Sequence, residues 1–349
     1  MVIGEGWLPD FVANQRLLLA WPYRGDVWRS HAKPAQNALL RLLDQLPASA
    51  PVSLVVSSQV KGNLPDSLKR IHRIEVDYDD IWLRDIAPLW LNNGKEVKAL
   101  SFNFDGWSGV QQAITADSQF AENLCGYFNL SHDKAQLVAE GGAFTHNGKG
   151  DWIVGLACIK RRNPDLSHNE LKAILSKLLP GQRLYFFNNS LSADETGGHI
   201  DNMAIFVDSD TLLYVFTDDV THPDYEACQQ LQKLVSQLPK FINAIPLPLP
   251  RPQSAMPEER QDIELNELSL KRTIDLPLLC SYVNVLQTDK LLVIPEFGLE
   301  TDDEAFQRIQ NALPERKVLS FNAREFVLGG GGLHCISHNL PASLKPTAG

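Results

Sequence analysis

At roughly 150 residues per domain, 349 residues suggest two domains, although one large closed architecture holds the same length. A chain that is 44% apolar and 21% charged has the composition of a soluble globular protein, which excludes fibrous, disordered and disulfide-rich classes. Thirty-two basic against forty-two acidic side chains leave a formal charge of −10, the opposite of what a nonspecific nucleic-acid or anionic-membrane binder needs, and compatible with a cationic small substrate.

The opening MVIGEGWLPDFVANQRLLLAW lacks a basic stretch leading into an unbroken apolar one, so no signal peptide is expected. No window approaches the ~18 consecutive apolar residues of a membrane span. A cytoplasmic chain is the expectation. The segment 34–46 places Ala38, Leu39, Leu42, Leu43 and Leu46 at helical spacing, with Pro34 suited to a first turn. VSLVVS at 52–57 and IHRIEV at 71–76 read as strands.

DYDDIWLRDIAPLW at 77–90 crowds Asp77, Asp79, Asp80 and Asp85 around Trp82 and Arg84. Carboxylates beside an aromatic face suit a flat delocalised cation; an acidic surface turn in which Arg84 neutralises one neighbour is the alternative. In LVAEGGAFTHNGKG, Glu140 ends an apolar run, and Asn147-Gly148 marks a hairpin turn after it. The segment 167–180 reads as a helix, with Ser167 as N-cap, Glu170 completing a capping box and Pro180-Gly181 as the stop.

Strand-like runs recur at 184–187, 204–207, 211–216, 283–286 and 291–294. If 199–207 is one strand, His199 and Asp201 share a face and suit acid–base work, or else a surface ion pair or a metal-ligand pair. The proline-rich IPLPLPRPQSAMPEE at 245–259 reads as a linker or as a loop over a site. A helix over 302–313 ends before Pro314 and leads into the strand KVLSF.

Five dispersed cysteines (Cys125, Cys158, Cys228, Cys280, Cys335) with no C-x-x-C pair oppose a disulfide framework or zinc ribbon, so neither a metal nor a cofactor is expected. Cys335 follows four glycines, Gly329 to Gly332. Either the glycines bring backbone close to a ligand and peptide N–H dipoles favour a reactive thiolate, or they form a tight crossing with Cys335 as buried filler.

Together, W-x-R-D-x-x-P at Trp82 to Pro88, E-G-G at Glu140, G-H-x-D-N at Gly198 to Asn202 and G-G-G-x-H-C at Gly330 to Cys335 resemble the agmatine deiminase family of guanidino-modifying enzymes. LAWP at 19–22, N-P at 163–164, SYVN at 281–284 and NAREFVL at 322–328 add to the likeness. The resemblance implies an α/β fold, a five-bladed pseudo-symmetric α/β propeller (pentein) with a central active-site channel. At about 70 residues per unit, the length accommodates it. One catalytic domain over 1–349 then replaces two.

By motif position, the resemblance makes Cys335 the nucleophile and His199 the general acid and base. Asp85 and Asp201 hold the guanidinium, and Glu140 supports the cation and orients His199. Trp82, Gly330 and Gly331 line the substrate. The expected reaction is hydrolysis of agmatine to N-carbamoylputrescine and ammonia through a thiouronium, feeding polyamine synthesis, with a homo-oligomer as a further expectation.

The chain departs from the family pattern at Ala87, at Leu8-Pro9-Asp10-Phe11, at Phe104 to Ser108 and at Ser337-His338-Asn339. These segments flank the far end of a substrate, so free arginine, peptidyl-arginine or another guanidino compound stands beside agmatine. An amidinotransferase and a noncatalytic binding propeller are the further alternatives.

Overall fold

One local pattern recurs through the computed structural model, which describes residues 5–345. Two strands pair antiparallel, a helix of 11 to 13 residues follows, and a return strand lies parallel to the second. Parallel neighbours need such a crossover, because the chain must travel back the length of the strand before pairing again.

The units in chain order are Leu89–Asn92, Val97–Asn103 and His132–Val138; Phe144–His146, Asp151–Gly155 and Arg183–Phe187; Ala204–Phe206, Thr211–Phe216 and Asn243–Pro248; and Leu286–Gln287, Leu291–Glu296 and Lys317–Asn322. The fifth unit joins the two ends of the chain. His338–Pro341 pairs antiparallel with Gln15–Ala20, which pairs parallel with Val52–Val56. Five sheets thus close into the α/β propeller that the motifs implied.

Local chemistry explains the helices. In Lys33–Gln45 the buried residues are Ala35, Ala38, Leu39 and Leu42, one apolar stripe laid on its sheet. His168–Leu178 starts from the expected capping box: Ser167 Oγ accepts from the Glu170 amide, and Glu170 Oε2 accepts from the Ser167 amide at 2.8 Å. The Asn147-Gly148 turn joins Phe144–His146 to Asp151–Gly155 as a hairpin.

Three readings need correction. Residues 199–207 are not one strand: Ile200–Asn202 form a 3₁₀ turn, and the strand is Ala204–Phe206. Of 283–286 only Leu286 is in a strand, because Asn284 turns inward to satisfy buried groups instead of pairing with a neighbouring strand. The start of the proline-rich segment is neither linker nor loop. Asn243–Pro248 is the outer strand of the third sheet, where prolines cost no ladder bond on the open side. The long irregular stretch comes after it, before Leu286, and a bridge between Gln253 and Leu278 pins it.

Candidate active site

In each blade the residue that matters sits two to four positions before the first of the three strands. Asp85 precedes Leu89–Asn92, Glu140 precedes Phe144–His146, Asp201 precedes Ala204–Phe206, Asn284 precedes Leu286–Gln287 and Cys335 precedes His338–Pro341. Five equivalent junctions therefore deliver five polar side chains to one place. Among them only Asn284 has no role implied by the motifs; it lies in the SYVN segment.

Trp82, Asp85, His199, Gly330, Gly331 and Cys335 line one cavity of ≈ 30 Å³. That is room for about two waters, or for a flat group the size of a guanidinium. Asp201 stands against it, its Oδ2 4.0 Å from Cys335 Sγ. All eight predicted site residues are accounted for here except Glu140, which lies one layer back. Glu140 is wholly buried and holds His199, with Oε2 3.2 Å from Nε2. Its other oxygen accepts from Arg162 Nε at 2.7 Å. Arg162 had no sequence signal beyond standing before the N-P pair.

The remaining carboxylates are fixed just as tightly. Asp85 Oδ1 accepts from the Gly142 amide at 3.0 Å, and Oδ2 from Trp107 Nε1 at 3.0 Å. A Cβ on Gly142 would lie 2.5 Å from His199 Nδ1 and 2.8 Å from Asp85 Oδ1, which is why glycine follows Glu140 at this remove. Asp201 Oδ2 meets His334 Nδ1 at 2.7 Å, and His334 Nε2 meets Asp10 Oδ2 at 3.0 Å. Arg84 clasps Asp10 with both terminal nitrogens, at 3.2 and 2.9 Å. Arg84 thus neutralises a distant N-terminal carboxylate and not one of its acidic neighbours. Asp201 Oδ1 is buried and has no hydrogen-bond partner among the described residues.

Of the acidic run, only Asp85 reaches the site. Asp77 caps Ser57 and Ser58, Asp79 accepts from the amides of Ala116 and Asp117, and Asp80 accepts from the indoles of Trp28 and Trp82. Trp82 keeps a ring against the cavity, and Gly331 packs beneath it: a Cβ there would come within 2.5 Å of the ring and 3.0 Å of the Cys335 Cβ.

The electrostatics assign protonation states. Burial works against a charged His199, but Asp85 and the hydrogen bond to Glu140 outweigh it and raise its pKa to about 9. It is an imidazolium at neutral pH. Burial, reinforced by Asp201 and Glu140 and opposed by His199, raises Asp85 to about 6. Glu140 stays below the usual carboxylate range because His199 and Arg162 overcome its burial.

Cys335 goes against one of its two sequence readings, that of a thiolate favoured by peptide dipoles. Burial first, then Asp201 and Asp85, push its thiol well above the ordinary value, and the peptide dipole at Gly332 and the Asn284 amide offset only part of this. Asn284 Nδ2 lies 3.3 Å from Sγ. Positive charge beside a thiol in this setting favours its ionisation.

Glu140, Cys158 and His199 bring donor atoms within 4.8 Å of one another, a spacing a metal ion could bridge. Those donors are already committed: Glu140 to Arg162 and His199, and Cys158 Sγ to the Gly155 carbonyl at 3.0 Å. The fixed positive charge of Arg162 beside them opposes a metal cation. Among the described residues no helix is long and apolar enough to cross a membrane.

The chain is similar to known proteins along nearly its whole length. The family model of Porphyromonas-type peptidyl-arginine deiminases matches residues 7–341. The agmatine deiminase of Ectopseudomonas mendocina is 30% identical, over 95% of this chain and 94% of its own. The solved agmatine deiminase of Enterococcus faecalis superposes with a TM-score of 0.87 at 26% identity, covering 98% of both chains. That of C. jejuni, solved with substrate bound, has the same fold at a TM-score of 0.82 and 21% identity, covering 98% of this chain and 97% of the other.

Proposed function

The chain belongs to the Porphyromonas-type peptidyl-arginine deiminase family, which here includes the agmatine deiminases, and is a guanidino-group hydrolase; we propose that it converts agmatine and water to N-carbamoylputrescine and ammonia, in one catalytic domain. One observation carries this reading. One small cavity is lined by a thiol and an imidazolium with carboxylates against it, one of which, Asp201, keeps a buried oxygen without a hydrogen-bond partner among the described residues. A cation that donates hydrogen bonds satisfies that oxygen and also offsets the charge of the surrounding carboxylates, which a neutral or anionic ligand does not.

In the proposed cycle Asp85 and Asp201 hold the guanidinium nitrogens, and the indole of Trp82 covers the plane. The incoming positive charge offsets the two carboxylates beside Cys335, and the thiol proton is released to solvent. The thiolate attacks the central carbon and forms a C–S bond. His199 donates its proton to one amino group, the C–N bond breaks and ammonia departs.

Neutral His199 then takes a proton from water, and the hydroxide adds to the thiouronium carbon. Collapse breaks the C–S bond and returns the thiolate and a ureido product. The surplus proton leaves as ammonium. Glu140 keeps the imidazole oriented and charged through the first half, which suits the order of events.

A second reading, a guanidino compound that ends in a carboxylate such as free arginine, is favoured by the guanidinium of Arg272, which lines the cavity paired with Glu195. An ammonia-release screen over agmatine, free arginine and an arginine peptide separates these substrates. Cys335→Ala should lower release by at least about a thousandfold. Unchanged release would remove Cys335 from the mechanism.

A further inference from the structure

A second cavity, of ≈ 40 Å³, shares no lining residue with the one that holds Cys335. Asp10, Arg84 and His334 are among its walls. The imidazole of His334, buried at 3% exposure, bridges from this cavity to the catalytic residues. Its Nδ1 lies 2.7 Å from Asp201 Oδ2, the oxygen that stands 4.0 Å from Cys335 Sγ. Its Nε2 lies 3.0 Å from Asp10 Oδ2.

Asp201 differs from the other two carboxylates in how it is held. Asp85 has a donor on each oxygen, the Gly142 amide and the Trp107 indole. Glu140 likewise has Arg162 on one oxygen and His199 on the other. Asp201 has nitrogen donors on Oδ2 alone, from His334, and Oδ1 has no partner among the described residues. A carboxylate held at one oxygen turns easily about its last torsion, which is broad. A single ring therefore decides where Oδ1 points.

That ring is itself fixed from three sides. Burial works against a charged Asp10, but Arg84 and His334 outweigh it and hold the carboxyl well below the usual range. Arg84, which clasps both Asp10 oxygens, also donates its amide to the Cys335 carbonyl at 3.1 Å. The His334 amide donates to Asn284 Oδ1 at 2.9 Å. We propose that His334 is a positioning residue: Nδ1 grips Asp201 Oδ2 and keeps Oδ1 turned to the substrate guanidinium, while Asp10 fixes the ring from the second cavity. The inference rests on the deiminase reading, in which Asp201 holds the guanidinium. Asp10 belongs to a segment where the chain departs from the family pattern, and the bridge gives that segment a place beside the reacting groups.

Two substitutions separate the ends of the bridge. Counted in bonds from Cβ, the amide nitrogen of asparagine stands where Nδ1 does, and that of glutamine where Nε2 does. His334→Asn keeps the donor to Asp201 and gives up Asp10, and His334→Gln does the reverse. The reading is KM, which does not depend on the fraction of folded enzyme, with kcat beside it. The probe is agmatine, or free arginine if only that compound is turned over. His334→Gln should raise KM at least about tenfold, whereas His334→Asn should stay within about threefold of the unmodified protein. A lower KM for glutamine than for asparagine would mean that His334 serves Asp10 and not Asp201, and equal values would mean that the ring only fills space; either result overturns the inference. If the unmodified protein releases ammonia from none of the screened guanidines, the deiminase reading itself falls and this inference with it.

Discussion

Replacing Glu140 with glutamine keeps the shape and one acceptor oxygen but removes a buried charge 3.2 Å from His199 Nε2 and 2.7 Å from Arg162 Nε. The rise of His199 from 6.5 to about 9 is worth roughly 3 kcal/mol at ~1.4 kcal/mol per pKa unit. Asp85, Glu140 and Asp201 share it against the cost of burial. Losing the Glu140 charge should return about half, and the imidazolium should then titrate near roughly 8.

Because His199 must carry a proton when ammonia leaves, the alkaline limb of kcat/KM should move down from about 9 by about one pH unit. Stability moves with it. A group whose folded pKa is raised stabilises fully below its unfolded value and loses that contribution as pH rises through the folded one. The unmodified protein should therefore lose stability between about pH 6.5 and about 9, and the variant should lose less over a shorter range.

At neutral pH the variant also leaves Arg162 buried with only Asp105, 3.9 Å away, as a counter-ion. Since Arg162 keeps the Thr196 carbonyl at 2.8 Å, the cost should fall to about 2–3 kcal/mol, below the usual penalty for breaking a buried pair. Ammonia-release rates across pH 6 to 10, alongside thermal melts at the same pH values, measure both effects. An alkaline limb unmoved by the substitution would show that Glu140 does not govern the charge of His199.

The acid side should report Asp85. As its carboxyl titrates near 6 and must be ionised to hold a cation, kcat/KM should fall as pH drops through that value, while the limb in kcat sits lower because bound cation favours the carboxylate; activity undiminished at pH 5 would refute this. Asn284→Ala removes the amide 3.3 Å from Sγ, and single-turnover rates should drop about ten- to hundredfold with the fold intact by circular dichroism. Gly331→Ala places a methyl 2.5 Å from Trp82 and 3.0 Å from the Cys335 Cβ. It should cost at least about a hundredfold in kcat/KM by displacing the nucleophile, and a variant as active as the parent would mean that the loop yields freely.

The sequence determined the repeating strand–helix–strand units and most of the chemistry. Periodicity and caps are local, so the Ser167 capping box, the apolar face of Lys33–Gln45 and the Asn147-Gly148 hairpin could be read directly. The order of the four short motifs singled out Asp85, Glu140, His199, Asp201 and Cys335, because each motif is a local run of residues that can be read without knowing the fold.

Tertiary structure decided what the motifs do to one another. His199 and Asp201 meet their partners through a 3₁₀ turn and not a strand, and Arg162, Asn284, Asp10 and Arg272 matter only through neighbours 22 to 324 residues away. The charge state of the sulfur was decided in the same way. Peptide dipoles near Cys335 are local and favour thiolate, but burial by the whole propeller and carboxylates from two other blade junctions override them. Desolvation and Coulomb interactions depend on distance in space, and separation along the chain says nothing about that until the ring has closed.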